Sequence, residues 1–478
     1  MAASNEFFRK KINLFDGIAF VAGGMIGSGI FIVSADMART LGSPGWMLVA
    51  WLVTGLITVI GGLSYGELAG MMPKVGGQYV YLKEAYNPLI GFLYGWTLFL
   101  VIQTGSIAAV GVAFAKFSGV LMPWISEDNV LFSIGSFHFN TTQLAGILMI
   151  AFLTWINTRG IVTGKTIQNI FTSTKTLALF GFIVVGLIAL KGSGSWDSNR
   201  EAFWEASQVS ADGSIVPLAG FALLIAMGTA MVGSLFASDA WYNITYISGE
   251  VINPKRNLPL SLFFGTLIVS VLYLLTNYVY IRILPVDGSP AGLTELERGI
   301  QFAANDRVAT AAMSVVIGDF AAILMAIFIM ISTFGCNNGM ILASPRVYYA
   351  MAQDGLFFKG AARLNSKGVP GFAIILQGIW AGVLCLSGTY SNLLDYVTFA
   401  VLLFFILTIG AVFLLRIRKP DAERPYKAFG YPVIPALYIL VTSLICVILL
   451  IYKPEYTFPG LIIVLLGIPV YYIWKKRK

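Results

Sequence analysis

Histidine is almost missing from this chain: His138 is the only one in 478 residues. Cysteine is nearly as scarce, and Cys336, Cys385 and Cys446 all lie inside apolar runs, at no metal-ligand spacing. A histidine-based triad or a metal centre has little to build on, and a membrane-embedded enzyme would need such a constellation. The chain is therefore expected to be a non-enzyme without metal or cofactor. Three such thiols read as free packed side chains rather than a disulfide framework. Charge is also short. Asp, Glu, Lys and Arg make up 11% of the residues, against about 25% in a soluble domain. The net charge of +8 sits in short clusters between apolar runs, with no basic stripe interleaved with aromatics, so no nucleic-acid partner is expected. A repeated pore filter or ring of charge, as a channel would want, is missing too.

What fills the chain is hydrocarbon. Hydrophobic residues reach 57%, a composition that a lipid bilayer solvates better than water does. A spanning helix needs about 20 mostly apolar residues. That ruler predicts an all-α membrane protein of about twelve transmembrane helices, roughly at 13–37, 45–72, 88–121, 141–157, 164–190, 216–248, 259–284, 308–350, 370–388, 391–416, 431–451 and 457–474. The first run follows Arg9-Lys10-Lys11 without a small-residue cleavage site and reads as a retained helix. Basic residues gather in alternate connections, such as Lys74 and Lys83, Lys255 and Arg256, Arg416 to Lys427, and Lys475 to Lys478. This bias places both termini in the cytoplasm of a multi-pass protein of the cell membrane.

Two spans carry interruptions. Gly23-Gly24-Met25-Ile26-Gly27-Ser28-Gly29 breaks the first, and Phe236-Ala237-Ser238-Asp239-Ala240-Trp241-Tyr242-Asn243 breaks the sixth. They lie about 210 residues apart, and five spans followed by five would insert the second set upside down. The chain is thus read as one transporter domain: a first inverted repeat at 13–190, a second at 216–416, and two additional helices at 431–474. Glycine is costly inside a helix, and bare main-chain groups in a bilayer cost several kcal/mol each, so such breaks persist where something polar satisfies them. The amides of Gly27, Ser28 and Gly29 would open a half-helix whose positive end suits a carboxylate. Close packing through the Gly23/Gly27 pair is the alternative. Freed carbonyls around Met25, Phe236, Ala237 and Asp239 would suit an ammonium, and Asp239 either joins them or caps the break. Carboxylate and ammonium sites facing each other describe an α-amino acid.

These residues carry a resemblance. Gly24-Met25-Ile26-Gly27-Ser28-Gly29-Ile30-Phe31 resembles the first-helix signature of the amino acid–polyamine–organocation (APC) superfamily. Leu235 to Asn243, then Glu250, Asn253-Pro254 and Arg256-Asn257-Leu258-Pro259, resembles its L-type amino acid transporter branch, as does Ser332-Thr333-Phe334-Gly335-Cys336-Asn337-Asn338 through Arg346 and Asp354-Gly355. The resemblance implies a leucine-transporter-like inverted-repeat fold working by alternating access, with Phe236 closing over the substrate. It implies sodium-independent exchange of small or medium neutral amino acids; proton coupling, or cationic amino acids and polyamines, are the alternatives. It also implies that Lys175, in the fifth span, replaces sodium beside the first break, with Ser332 or Thr333 as neighbours. From position alone, about 15 Å past Lys165 and 24 Å before Lys191, Lys175 could equally snorkel to the membrane surface. Two departures stand out. Asp239-Ala240 replaces the branch's usual Gly-Gly, and Gly119–Asn140 lacks the cysteine that tethers a heavy chain in animal members, so no disulfide-linked heavy chain is expected.

Other polar residues stay open between two roles. Gln103, Thr104, Ser106, Asn337 and Asn338 either line a side-chain pocket or join helices by hydrogen bonds. Asn243 either orients a ligand or caps the second half-helix, and Glu67 reads as a solvated helix end or an interface ion pair.

Overall fold

The computed structural model describes residues 10–135, 137–189, 195–209, 215–318, 320–386 and 390–476. Each of the twelve apolar stretches holds a helix. Ten are long and apolar enough to cross a membrane, and the fourth (Thr141–Asn157) and ninth (Gly371–Cys385) are shorter. The first span is Leu14–Met25, then Gly29–Ile32 and Ser34–Leu41 after the break at Ile26–Ser28. Asn13 starts it with a capping box, its side chain accepting from the Asp16 amide while the Asp16 carboxylate accepts from the Asn13 amide. The second span is Pro44–Met71 and the third Pro88–Leu121, widened by a π-helical turn at Leu98–Ile102. The fifth is Ile161–Ala189, the seventh Pro254–Ile283, the tenth Tyr390–Arg418, the eleventh Val433–Tyr452 and the twelfth Pro454–Lys476.

Two expected boundaries move. The sixth helix runs only over Gly220–Ala237; beyond Ser238–Ala240 the chain continues as tight 3-10 turns at Trp241–Thr245 and Ser248–Glu250. The eighth, read as 308–350, is three helices: Val308–Ile317, Phe320–Ala343 and Pro345–Gln353. Gly318, at φ 74°, ends the first of these in a conformation that glycine adopts without a Cβ penalty.

Several helix pairings recur when the first five spans are exchanged for the next five. The first packs on the seventh as the sixth packs on the second, the first on the fifth as the sixth on the tenth, and the fifth on the eighth as the tenth on the third. The second and seventh, third and eighth, and fourth and ninth pair directly. Small residues allow the closest approaches: a Cβ on Gly265 of the seventh span would lie 2.4 Å from Val21 Cγ1 of the first.

Two buried glutamates are paired with arginines. Glu67, of the second span, receives Arg416 Nη2 at 2.6 Å and the Ala428 amide at 2.6 Å, so it forms the interface ion pair rather than a solvated end. Glu250, after the sixth span, accepts from Arg346 Nε at 3.1 Å, and both side chains are fully buried. Outside the spans, Lys419 Nζ donates to Glu84 at 2.9 Å and holds its carboxyl below the ordinary 4.5. A lowered folded pKa contributes stability that is present above the unfolded value and lost as pH falls through the folded one. The purified protein should therefore lose slightly more melting temperature below pH 4.5 than its Glu84→Gln variant, a difference under about 1 kcal/mol because solvent screens the pair. Identical acid profiles for the two would remove the pair's contribution.

Candidate functional site

The first break exposes five successive carbonyls, and side chains from three other helices meet them. Lys175 Nζ donates to Gly23 O at 2.5 Å and Ile26 O at 2.6 Å, with Ser332 O at 3.4 Å. Ser332 Oγ donates to Ile26 O at 3.0 Å and lies 3.3 Å from Gly27 O. Cys336 Sγ lies 3.0 Å from Gly24 O, and Tyr273 Oη donates to Met25 O at 2.8 Å. A buried ammonium costs several kcal/mol unless it is surrounded by acceptors. Here Lys175 is 2% exposed, and its protons point at the oxygens that the break sets free. Lysine and break compensate each other.

The first amides of a helix have no partner within it, and Gly27, Ser28 and Gly29 line a cavity of about 20 Å³ between the two breaks. Across it stand Phe236, Ala237, Asp239 and Ala240, with Ser106 and Cys336 at the sides. The breaks nearly touch: a Cβ on Gly29 would lie 2.6 Å from Ala237 Cβ. Ala240 holds the second break open at φ 67°, a left-handed turn that costs about 1 kcal/mol or more without glycine. Tyr242 Oη donates to Asp239 Oδ2 at 3.3 Å, and Oδ1 is buried with no hydrogen-bond partner among the described residues. Phe236 and Asp239 also wall a second chamber of about 20 Å³, bounded by Thr58, Val401, Phe405 and Tyr438.

Most candidates named from the sequence lie at this cavity: Met25, Gly27, Ser28, Gly29, Ser106, Phe236, Ala237 and Asp239 line it, with Lys175 and Ser332 behind the first break. Others lie elsewhere. Thr333 turns its hydroxyl to Ile329 O and Met330 O of its own helix, so of the two expected hydroxyls Ser332 is the one beside Lys175. Asn337 Nδ2 donates to Ile107 O, and Asn338 Nδ2 to Gly164 O, so both join helices. Thr104 bonds Phe99 O of its own span. Gln103 and Asn243 are buried but line neither chamber. His138 is exposed, with Ser133 Oγ 2.7 Å from its Nδ1.

Sequence reading passed over Cys336 and Tyr273. Cys336 could have been found, because it lies one turn beyond Ser332 on the same helical face. Tyr273 gives no local signal; its hydroxyl bridges Met25 O and Ala237 O, one from each break. Cys336 offers a direct check. A small methanethiosulfonate should block transport, the substrate should slow the reaction, and Cys336→Ala should be insensitive. A block that persists in Cys336→Ala would place the reactive thiol elsewhere.

The profile of the amino acid permease family matches residues 12–472. The large neutral amino acids transporter small subunit 2 of Homo sapiens is 30% identical over 474 residues, 98% of this chain and 82% of that protein. The serine/threonine exchanger SteT of Bacillus subtilis (strain 168) is 29% identical over 481 residues, covering 100% of both chains. The b(0,+)-type amino acid transporter 1 of Mus musculus is 28% identical over 471 residues, 97% of this chain and 87% of that one. With two broken helices enclosing a cavity and a match over nearly its whole length, the chain belongs to the amino acid permease family, as a multi-pass amino acid transporter of the L-type branch of the APC superfamily.

Proposed function

We propose that the protein exchanges small or medium neutral amino acids without sodium, by alternating access in a cell membrane with both termini in the cytoplasm. The observation that carries this reading is Lys175: its ammonium lies 2.5 and 2.6 Å from two carbonyls of the first break, where a cation would otherwise be needed. The substrate carboxylate would take the amides of Gly27, Ser28 and Gly29. Its ammonium would take carbonyls of Met25, Phe236 and Ala237, whose oxygens each have two lone pairs. At about 20 Å³ the cavity holds roughly one water in this conformation, so the two breaks must part to admit a substrate. Residues 13–190 and 216–416 would be the two inverted repeats, a division supported by the packing that survives their exchange, with 431–474 outside them. Gly119–Asn140 holds no cysteine, so any partner there would bind without a disulfide.

Proteoliposomes test this reading. Uptake should be unchanged when choline replaces sodium, and should rise strongly when unlabelled substrate is loaded inside. Uptake that needs sodium, or ignores internal substrate, would sink it. One observation favours a second reading: the unpartnered Oδ1 of Asp239 at the cavity wall suits a cationic amino acid. Thermal stabilisation by a panel of amino acids separates the two, since a ligand stabilises the folded state according to its affinity. Stabilisation by lysine or arginine above serine or alanine selects the second reading. A pH gradient that drives uptake without internal substrate would mean proton coupling.

A further inference from the structure

The third and fourth spans are joined by an antiparallel ribbon, β1 (Val130–Ile134) with β2 (Phe137–Asn140). We propose that this ribbon is seated in the lipid interface and completes the hydrophobic belt above a fourth span too short to do so alone. Four observations carry the proposal. First, the fourth span has 17 residues and is about 26 Å long, short of a hydrocarbon core of about 30 Å. Second, β1 is apolar and uncovered: Val130, Leu131, Phe132 and Ile134 are 46–71% exposed. An isolated two-stranded ribbon is marginal in water and needs an apolar surface to rest on.

Third, the ribbon is amphipathic. Phe132 pairs with Phe139, their rings 5.1 Å apart, while Ser133 and His138 meet on the opposite face. One apolar face and one polar face suit the boundary between hydrocarbon and water. Fourth, that surface continues into lipid-facing helix. Exposed Leu148, Phe152 and Trp155 form one stripe of the fourth span, and an apolar groove rises from Phe152 past Leu148 and Leu144 to Ile125 and Trp124 at the base of the ribbon. Trp124 is exposed there, as tryptophans at membrane interfaces are. Hydrogen bonds of Thr141 Oγ1 and Asn129 Nδ2 to Trp124 O, at 2.7 and 2.6 Å, fix the ribbon to the top of the helix. The stripe beneath it favours lipid over a second copy or another protein, because the apolar groove at the ribbon's base runs on into lipid-facing helix.

Depth-dependent quenching tests the proposal. In a background with Cys336, Cys385 and Cys446 each changed to Ala, Phe132→Cys and Ile134→Cys would each be labelled with bimane in phosphatidylcholine/phosphatidylglycerol nanodiscs. Leu148→Cys would serve as the lipid-facing reference and Leu293→Cys, 89% exposed in another connection, as the water reference. Lipids spin-labelled at the headgroup should quench both ribbon labels about twofold or more over the Leu293 label, and lipids spin-labelled mid-chain should quench the Leu148 label more than either ribbon label. Ribbon labels that behave like the Leu293 label overturn the proposal. So does disulfide dimerisation through Ile134→Cys with loss of lipid quenching, which would make the ribbon a contact between copies.

Discussion

Lys175→Ala should lose about tenfold to a hundredfold of its exchange rate while remaining folded. Removing the ammonium leaves Gly23 O buried with its donor gone, and Ile26 O with Ser332 alone. An unsatisfied buried acceptor costs about 1–3 kcal/mol, and each 1.4 kcal/mol on the transport barrier is roughly a factor of ten. The penalty falls on the break that presents the amides of Gly27, Ser28 and Gly29, so substrate-induced thermal stabilisation should shrink with the rate. Lys175→Met, which keeps the apolar stem, should behave alike, separating charge from volume. Initial rates at matched protein density, together with the melting shift on adding substrate, check both. Wild-type rates in either variant would end the sodium-replacement reading.

The second large effect concerns folding. Arg346→Met leaves the buried Glu250 carboxylate without its guanidinium, and an uncompensated buried charge costs about 3–5 kcal/mol. Arg346 also donates through Nη1 to Leu342 O. Expression of monodisperse protein should fall sharply. Combining Arg346→Met with Glu250→Gln should restore much of the yield and melting temperature, because the stranded charge is then removed. The same pair borders a tether: the amides of Lys11 and Ile12 donate to Glu250 O at 2.8 and 3.0 Å. A single variant that melts like wild type would mean that water reaches this pair.

The broken helices were legible because glycine content and a mid-span acid are local signals. Gly23 to Gly29 and Asp239 stand out against hydrocarbon without any knowledge of neighbours. The end of the sixth helix was harder to read, since Trp241, Tyr242 and Ile244 keep the chain apolar after it stops being α-helical. The division of the eighth stretch had a local signal in Gly318-Asp319, passed over because long apolar runs flank that pair. Ser332 and Thr333 are adjacent in sequence but point about 100° apart on a helix, and only packing chooses which one meets Lys175.

Composition and hydropathy sufficed to establish a multi-pass bilayer protein and the places where two of its spans rupture. Those properties depend on a few consecutive residues measured against a membrane of given thickness. Which donors answer each freed carbonyl is a matter of helix rotation and approach. Tyr273 reaches Met25 across 248 residues and Arg346 reaches Glu250 across 96, distances over which a linear pattern holds no angular information. The packed bundle supplies that information, because close-fitting side chains leave each helix one way to turn.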